Sequence, residues 1–174
     1  MQRLHCYIWL KFYLKMNTTY LLLGSNMGNS AEQLSCAIEH IEKKTGNLVA
    51  QSSLYVTAAW GNTNQPDFLN QVIIIETELN AIDTLQSILA IEKDMGRVRT
   101  VKNAPRIIDI DILFFNNEII ELYHLIVPHP QIQNRRFVLI PMNELSPQLI
   151  HPILKKTIAH LLLACTDELN VKKF

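Results

Sequence analysis

The sequence predicts one domain in which strands and helices are mixed, and three observations carry that reading. Short β-branched and aromatic runs alternate with two longer stretches of helical spacing. Gly, Asn and Pro punctuate the boundaries between them. A chain of 174 residues is long enough to bury about two-thirds of its unfolded surface without covalent staples.

The elements follow in chain order. Residues 1–15 interleave Tyr7, Ile8, Trp9 and Leu10 with His5, Lys11 and Lys15. The run is too short to cross a bilayer and lacks a small-residue cleavage site, so it is read as an extension, with translation starting at Met16 and residues 16–174 forming the domain. Residues 18–23 read as a strand that ends in the turn-rich Gly24-Ser25-Asn26-Met27-Gly28-Asn29. That turn offers amides to an anion but lacks the Gly-Lys-Ser/Thr of a nucleotide loop. Ser30 and Gln33 make a capping-box pattern, Leu34, Ala37, Ile38 and Ile41 a buried stripe, and Gly46 a helix stop. A second strand spans residues 48–56, and a polar loop carrying Trp60 spans residues 57–66.

The third strand, residues 67–77, places Phe68, Asn70, Val72 and Ile74 on one face. A ring two residues from an amide suits a flat heterocycle that is stacked and read by its donors and acceptors; a core Phe with a capping Asn is the structural alternative. The second helix, residues 80–95, turns Leu85, Ile88 and Leu89 inward and stops at Gly96. Glu92 continues the inward stripe and needs a partner, a following Arg being favoured over a ligand hydroxyl.

Residues 96–115 organise the chain. Arg97, Arg99, Lys102 and Arg106 follow one another without an acid, and Asp109 and Asp111 then interrupt an apolar strand. Side chains two apart on a strand share a face, about 6.6 Å apart at Cα, where two carboxylates repel by roughly 2.5 kcal/mol at an effective dielectric near 20. A hard divalent cation removes that repulsion and completes its shell with water and phosphate oxygens, which the neighbouring Arg and Lys also hold. A wet strand face is the alternative reading. Asn116-Asn117 suggests a hairpin turn and residues 118–122 a short strand, followed by Val127-Pro128-His129-Pro130 and by Asn134-Arg135-Arg136-Phe137, which opens a helix from Val138 towards Leu145. His129 and Arg135 form a second small cationic set. Residues 158–163 make a last helix, and the tail from Thr166 reads as polar and frayed.

The balance of 16 Lys and Arg against 16 Asp and Glu leaves no overall field for nucleic acid, so a basic site must be local. Cys6, Cys36 and Cys165 are scattered and odd in number, which argues against disulfides or a zinc site and for a cytoplasmic setting.

Several of these segments together resemble the 6-hydroxymethyl-7,8-dihydropterin pyrophosphokinase family of folate biosynthesis: residues 57–70, Gly96-Arg97-Val98-Arg99, Pro105-Arg106-Ile107-Ile108-Asp109-Ile110-Asp111-Ile112-Leu113, Val127-Pro128-His129 and Asn134-Arg135-Arg136-Phe137. The resemblance implies an α+β, ferredoxin-like domain with a central antiparallel sheet and packed helices. It implies transfer of pyrophosphate from ATP to a pterin hydroxymethyl group, with two Mg²⁺ held by Asp109 and Asp111. Arg97, Arg99, Arg106, His129 and Arg135 would line the phosphates, with Lys102 beside them and Glu92 on the nucleotide side. Asp109 is also a candidate to orient the pterin hydroxyl. The pterin would lie between Phe68 and Phe137, read by Asn70 and by Thr57, Ala58 and Trp60. ATP and a reduced pterin are the expected partners of a monomer, with no nucleic acid or membrane. Departures from the family pattern are Ala58-Ala59 for a proline-containing pair, Asn103-Ala104 for Trp-Gly and Pro130 for an aromatic. A non-catalytic ferredoxin-like domain that binds a small ligand or RNA is the competing class.

Overall fold

The computed structural model describes residues 16–58, 65–98 and 104–174. The expectations for the extension, for Trp60 and for Arg99 and Lys102 lie outside the described residues. The middle of the molecule is β1 (Asn17–Ser25), whose Leu-rich run is hydrogen-bonded on both sides. It pairs antiparallel with β4 (Phe68–Thr77) on one flank and with β5 (Asp109–Phe115) on the other. The outer edge of β4 is shared between β2 (Asn47–Gln51) and β3 (Tyr55–Thr57), and β8 (Val171–Lys173) pairs with β3. With α1 (Ser30–Lys44) and α2 (Ala81–Asp94) as the connections, the order β5-β1-β4-β3-β8 is the ferredoxin-like arrangement that the resemblance implied.

Alternation along the strands feeds two cores. Leu21, Leu23, Ile73, Ile75, Ile110 and Ile112 pack against Leu34, Ala37 and Ile41 of α1 and Ile88 and Ile91 of α2. On the other face, Leu22, Val72, Leu113 and Phe114 meet α3 (Arg136–Leu145) and α4 (Ile158–Ala164) through Val138, Leu139, Met142, Ile158 and Leu161. A register shift in the pairing of β1 with β5 places Tyr20 opposite Phe114 and Leu21 opposite Ile112, so Leu113 is the extra residue of a bulge. Leu113 and Phe114 therefore both face α3, and Phe115 returns to the α1 and α2 side. Between β5 and α3 lie a separate hairpin, β6 (Ile120–Leu122) with β7 (Leu125–Val127), and a 3-10 turn, Ile132–Asn134.

The structure departs from the sequence reading in six places, each with a local cause. The predicted strand 48–56 is broken, because Ser53 turns its N–H and hydroxyl to the Glu144 carboxylate on α3. The cap of α1 is Asn29, whose side chain accepts from Glu32 N–H, so the box does not begin at Ser30. Gly24 and Ser25 belong to β1, and the turn proper carries Gly28 at φ 66. Asn116, at φ 50, does not close a hairpin onto β5; β6 pairs with β7. Leu89, expected inward, is 38% exposed on the side of α2 that faces the hairpin. The tail is not frayed: Val171–Lys173 form an edge strand, and Phe174 N–H donates to the Leu54 carbonyl.

Gly46 is set by proximity. A Cβ built there would stand 2.3 Å from the Glu76 carbonyl of β4, closer than any real contact. Gly46→Ala is expected to destabilise the fold by about 2–4 kcal/mol in urea unfolding, and a variant as stable as the parent would show that the α1 to β2 corner yields.

Candidate functional site

The end of the sheet where β1, β4 and β5 meet opens into a cavity of about 930 Å³, within the range for small-molecule sites. Register builds its floor. Asp109 lies opposite Gly24 and Asp111 opposite Leu22, so both carboxylates share the α3 face of β5, as alternation required. Arg97 donates to Glu92 and to Asp109, and Arg106 donates to the other Asp109 oxygen. Glu92 is 2% exposed and also accepts from Ile110 N–H, which confirms the structural pairing expected for it. Burial, and then the charge of Asp109, push the Asp111 carboxyl up to about 7, while Arg135 pulls the other way.

His129 is held to β5 by its N–H on the Leu113 carbonyl. Its Nδ1 accepts from Gln131 N–H, which leaves the proton of the neutral ring on Nε2. Burial and the neighbouring Arg135 lower it to about 4, so His129 is a neutral donor at pH 7. The expected cationic set therefore reduces to Arg135. The Nε of Arg106 is buried without a hydrogen-bond partner among the described residues, a donor suited to a ligand oxygen.

Beside this floor lies a slot. Phe68, Asn70, Thr57, Ala58 and Phe137 all line the cavity, so the described members of the expected heterocycle set come together. The Asn70 amide donates to Thr57 Oγ1 at 2.8 Å and is 4% exposed. Gly24 makes room for it, since a Cβ there would stand 2.9 Å from Asn70 Oδ1. The Arg106 guanidinium lies 5.5 Å from the Phe68 ring centre, and that of Arg135 lies 5.8 Å from the Phe137 ring centre. Asn26 joins slot to floor: its Nδ2 donates to Gln65 Oε1 and the Pro66 carbonyl, and its Oδ1 accepts from Arg106 N–H.

The third part is an apolar arm between α2 and the hairpin, lined by Ile82, Leu85, Leu89, Leu125 and Ile126. Sequence reasoning missed it. The available signal was the i, i+3, i+7 spacing of Ile82, Leu85 and Leu89, a second stripe on α2 beside the buried one. No group of three or more His, Cys, Asp or Glu suited to a metal occurs among the described residues. Two hard oxygen donors in a basic surround fit a cation that takes its remaining ligands from water and phosphate.

The family model described as 7,8-dihydro-6-hydroxymethylpterin-pyrophosphokinase matches residues 20–147. The 2-amino-4-hydroxy-6-hydroxymethyldihydropteridine pyrophosphokinase of Methylorubrum extorquens is 41% identical over 136 residues, covering 78% of this chain and 86% of that protein. The enzyme of the same name from Aquifex aeolicus is 41% identical over 141 residues, covering 81% and 88%. Among solved structures, Plasmodium falciparum HPPK-DHPS with STZ-DHP aligns at a TM-score of 0.71 and 20% identity, over 86% of this chain and 43% of that one, a likeness of fold. The chain thus spans less than half the length of that polypeptide.

The buried imidazoles make acid stability a test of the geometry. His129 at about 4, and His151, also lowered by burial, take up protons later when folded than an unfolded His near 6.5. Between those values the unfolded state binds more protons, so stability falls as pH drops from about 6.5 to about 4. His129 contributes roughly 2 kcal/mol of that loss after allowing for partial solvation. Urea unfolding of His129→Asn across this window is expected to give a flatter profile, and a slope equal to the parent's would place the titration elsewhere.

Proposed function

The chain belongs to the 7,8-dihydro-6-hydroxymethylpterin-pyrophosphokinase family, and from that premise we propose how its cavity divides that family's chemistry among named side chains. The protein is an ATP-dependent diphosphotransferase of folate biosynthesis: pyrophosphate passes from ATP to the hydroxymethyl group of 6-hydroxymethyl-7,8-dihydropterin, and AMP is released. The non-catalytic and RNA-binding readings fall with that assignment. What remains to be assigned is which residue does what.

The pterin takes the slot, its faces against Phe68 and Phe137 and its polar edge against Asn70 and the strand end at Thr57 and Ala58. The apolar arm takes the nucleotide base. Arg97, Arg106, His129 and Arg135, which line the same cavity, take the triphosphate. Arg99, Lys102 and Trp60 are proposed as further contacts on the resemblance alone. Glu92 acts on the nucleotide side by holding Arg97. Asp109 and Asp111 would hold Mg²⁺, two ions in this reading, and the metal would neutralise phosphate charge and acidify the pterin hydroxyl when bound. Residues 16–174 are the catalytic domain, acting as a monomer in the cytoplasm.

The chain's own contribution is positioning. Slot and floor share one cavity, so the hydroxymethyl oxygen and the β-phosphorus are presented to each other without a protein nucleophile. Arg106 is placed by Asp109 and by the Asn26 clamp on its N–H, and His129 offers a proton at Nε2. Phosphate oxygens would share the Arg97 and Arg106 donors that Asp109 now accepts from, and Asp109 and Asp111 would be the pair to hold the cation.

The observation that carries this assignment is the shared face of Asp109 and Asp111 beneath three arginines. AMP release from ATP and the hydroxymethyl dihydropterin is expected from the parent, and Asp109→Ala and Asp111→Ala are each expected to lose about 10³-fold, roughly 4 kcal/mol of transition-state stabilisation. Turnover by both variants near the parental rate would remove the two carboxylates from the machinery.

A further inference from the structure

The two faces of the slot sit on different elements, Phe137 on α3 and Phe68 on β4, where it pairs with Thr57 of β3, and no strand pairing joins α3 to the sheet. Something must fix their separation. The first turn of α3 has no side-chain cap of its own, since Arg135 supplies none. Its Arg136 N–H donates instead to Asp167 Oδ2 at 2.8 Å, an acid from the C-terminal segment at a helix N-terminus, one residue from Phe137.

Seven residues further along α3, on the same side of the helix as Phe137, Glu144 accepts from Ser53 N–H, from Ser53 Oγ at 2.8 Å and from Tyr55 Oη at 2.7 Å. These donors lower the Glu144 carboxyl against the opposing effect of its own desolvation, and Tyr55 is pushed up to about 12 by burial and by Glu144. The C-terminal strand closes the circuit: Tyr55 pairs with Lys173 and Thr57 with Val171, and Lys173 Nζ stands 3.9 Å from Glu144.

We propose that residues 167–173, together with Glu144, form a brace that sets the width of the pterin slot, with Asp167 and Glu144 as positioning residues for that substrate. The brace grips α3 at its N-terminal end and again near its C-terminal end, and it grips β3 along the residues that lead to Thr57. Among the described residues its hydrogen bonds reach none of Arg97, Arg106 and Asp109; loss of Glu144 therefore acts on one substrate, while Asp167 holds the residue next to Arg135 and its loss also reaches the phosphate side. This inference rests on the proposed slot, and the test separates the two: absence of AMP release by the parent would sink the slot, whereas the brace is judged among variants of an active parent.

Steady-state kinetics of Glu144→Ala are expected to show KM for the pterin raised about tenfold, KM for ATP within twofold and kcat within threefold of the parent, and Asp167→Ala the same rise for the pterin with a smaller one for ATP. Asp167→Asn and Glu144→Gln, which keep an acceptor oxygen, are expected to recover most of the pterin affinity. A residue that merely held the fold together would move both KM values alike, and that outcome, or an unchanged pterin KM, overturns the proposal. If either alanine variant does not fold, Tyr55→Phe removes one donor to Glu144 and is expected to raise the pterin KM alone by about threefold; no rise there counts equally against the brace.

Discussion

Everything at the working end of this molecule follows from two carboxylates placed on one strand face where neither can escape the other. Asp109 is held by Arg97 and Arg106, and Asp111 is left with the field of Arg135 and a carboxyl that burial pushes up to about 7. Charge of one sign therefore collects around a nucleus of the other. Arg97 meets Glu92 and Asp109 through a single nitrogen and Arg106 meets Asp109 through another, so both guanidinium groups keep further N–H donors for phosphate oxygens. In the proposed assignment these arginines already face anions where the phosphates would lie.

The sheet makes that nucleus possible. Gly24 lies opposite Asn70 on one side and opposite Asp109 on the other, so a single residue without a side chain separates the heterocycle slot from the carboxylate floor. The two subsites are neighbours across one strand. Asn26, two residues on, ties the chain entering β4 to the chain entering β5, so the approach to each subsite is fixed by the same buried amide. In the proposed assignment, proximity of the two substrates is then a property of strand register.

Much of this was legible in the sequence, because it depends on period two. The shared face of Asp109 and Asp111, and that of Phe68 with Asn70, follow from strand alternation, and Glu92 as a buried partner for an arginine follows from the stripe of α2. What was not legible depends on contacts distant in sequence. Ser53 breaks its strand for a carboxylate 91 residues away, and the polar tail is ordered because β3 offers it an edge. His129 looked cationic beside Arg135, but enclosure and that same arginine make it neutral. The apolar arm escaped notice because Leu89 is as hydrophobic as any core residue, and only the position of the hairpin shows which side of α2 it serves.

The bulge at Leu113 lets one strand answer to two masters. On its near side the side chains keep step with β1 opposite Gly24 and Leu22; beyond it the step is reset, so that Leu113 and Phe114 both enter the α3 core. A change of volume at Leu113 or Phe114 is thereby set apart in register from the acidic half of the strand. The interior beneath α3 can therefore be repacked by design while the two carboxylates keep their partners across β1.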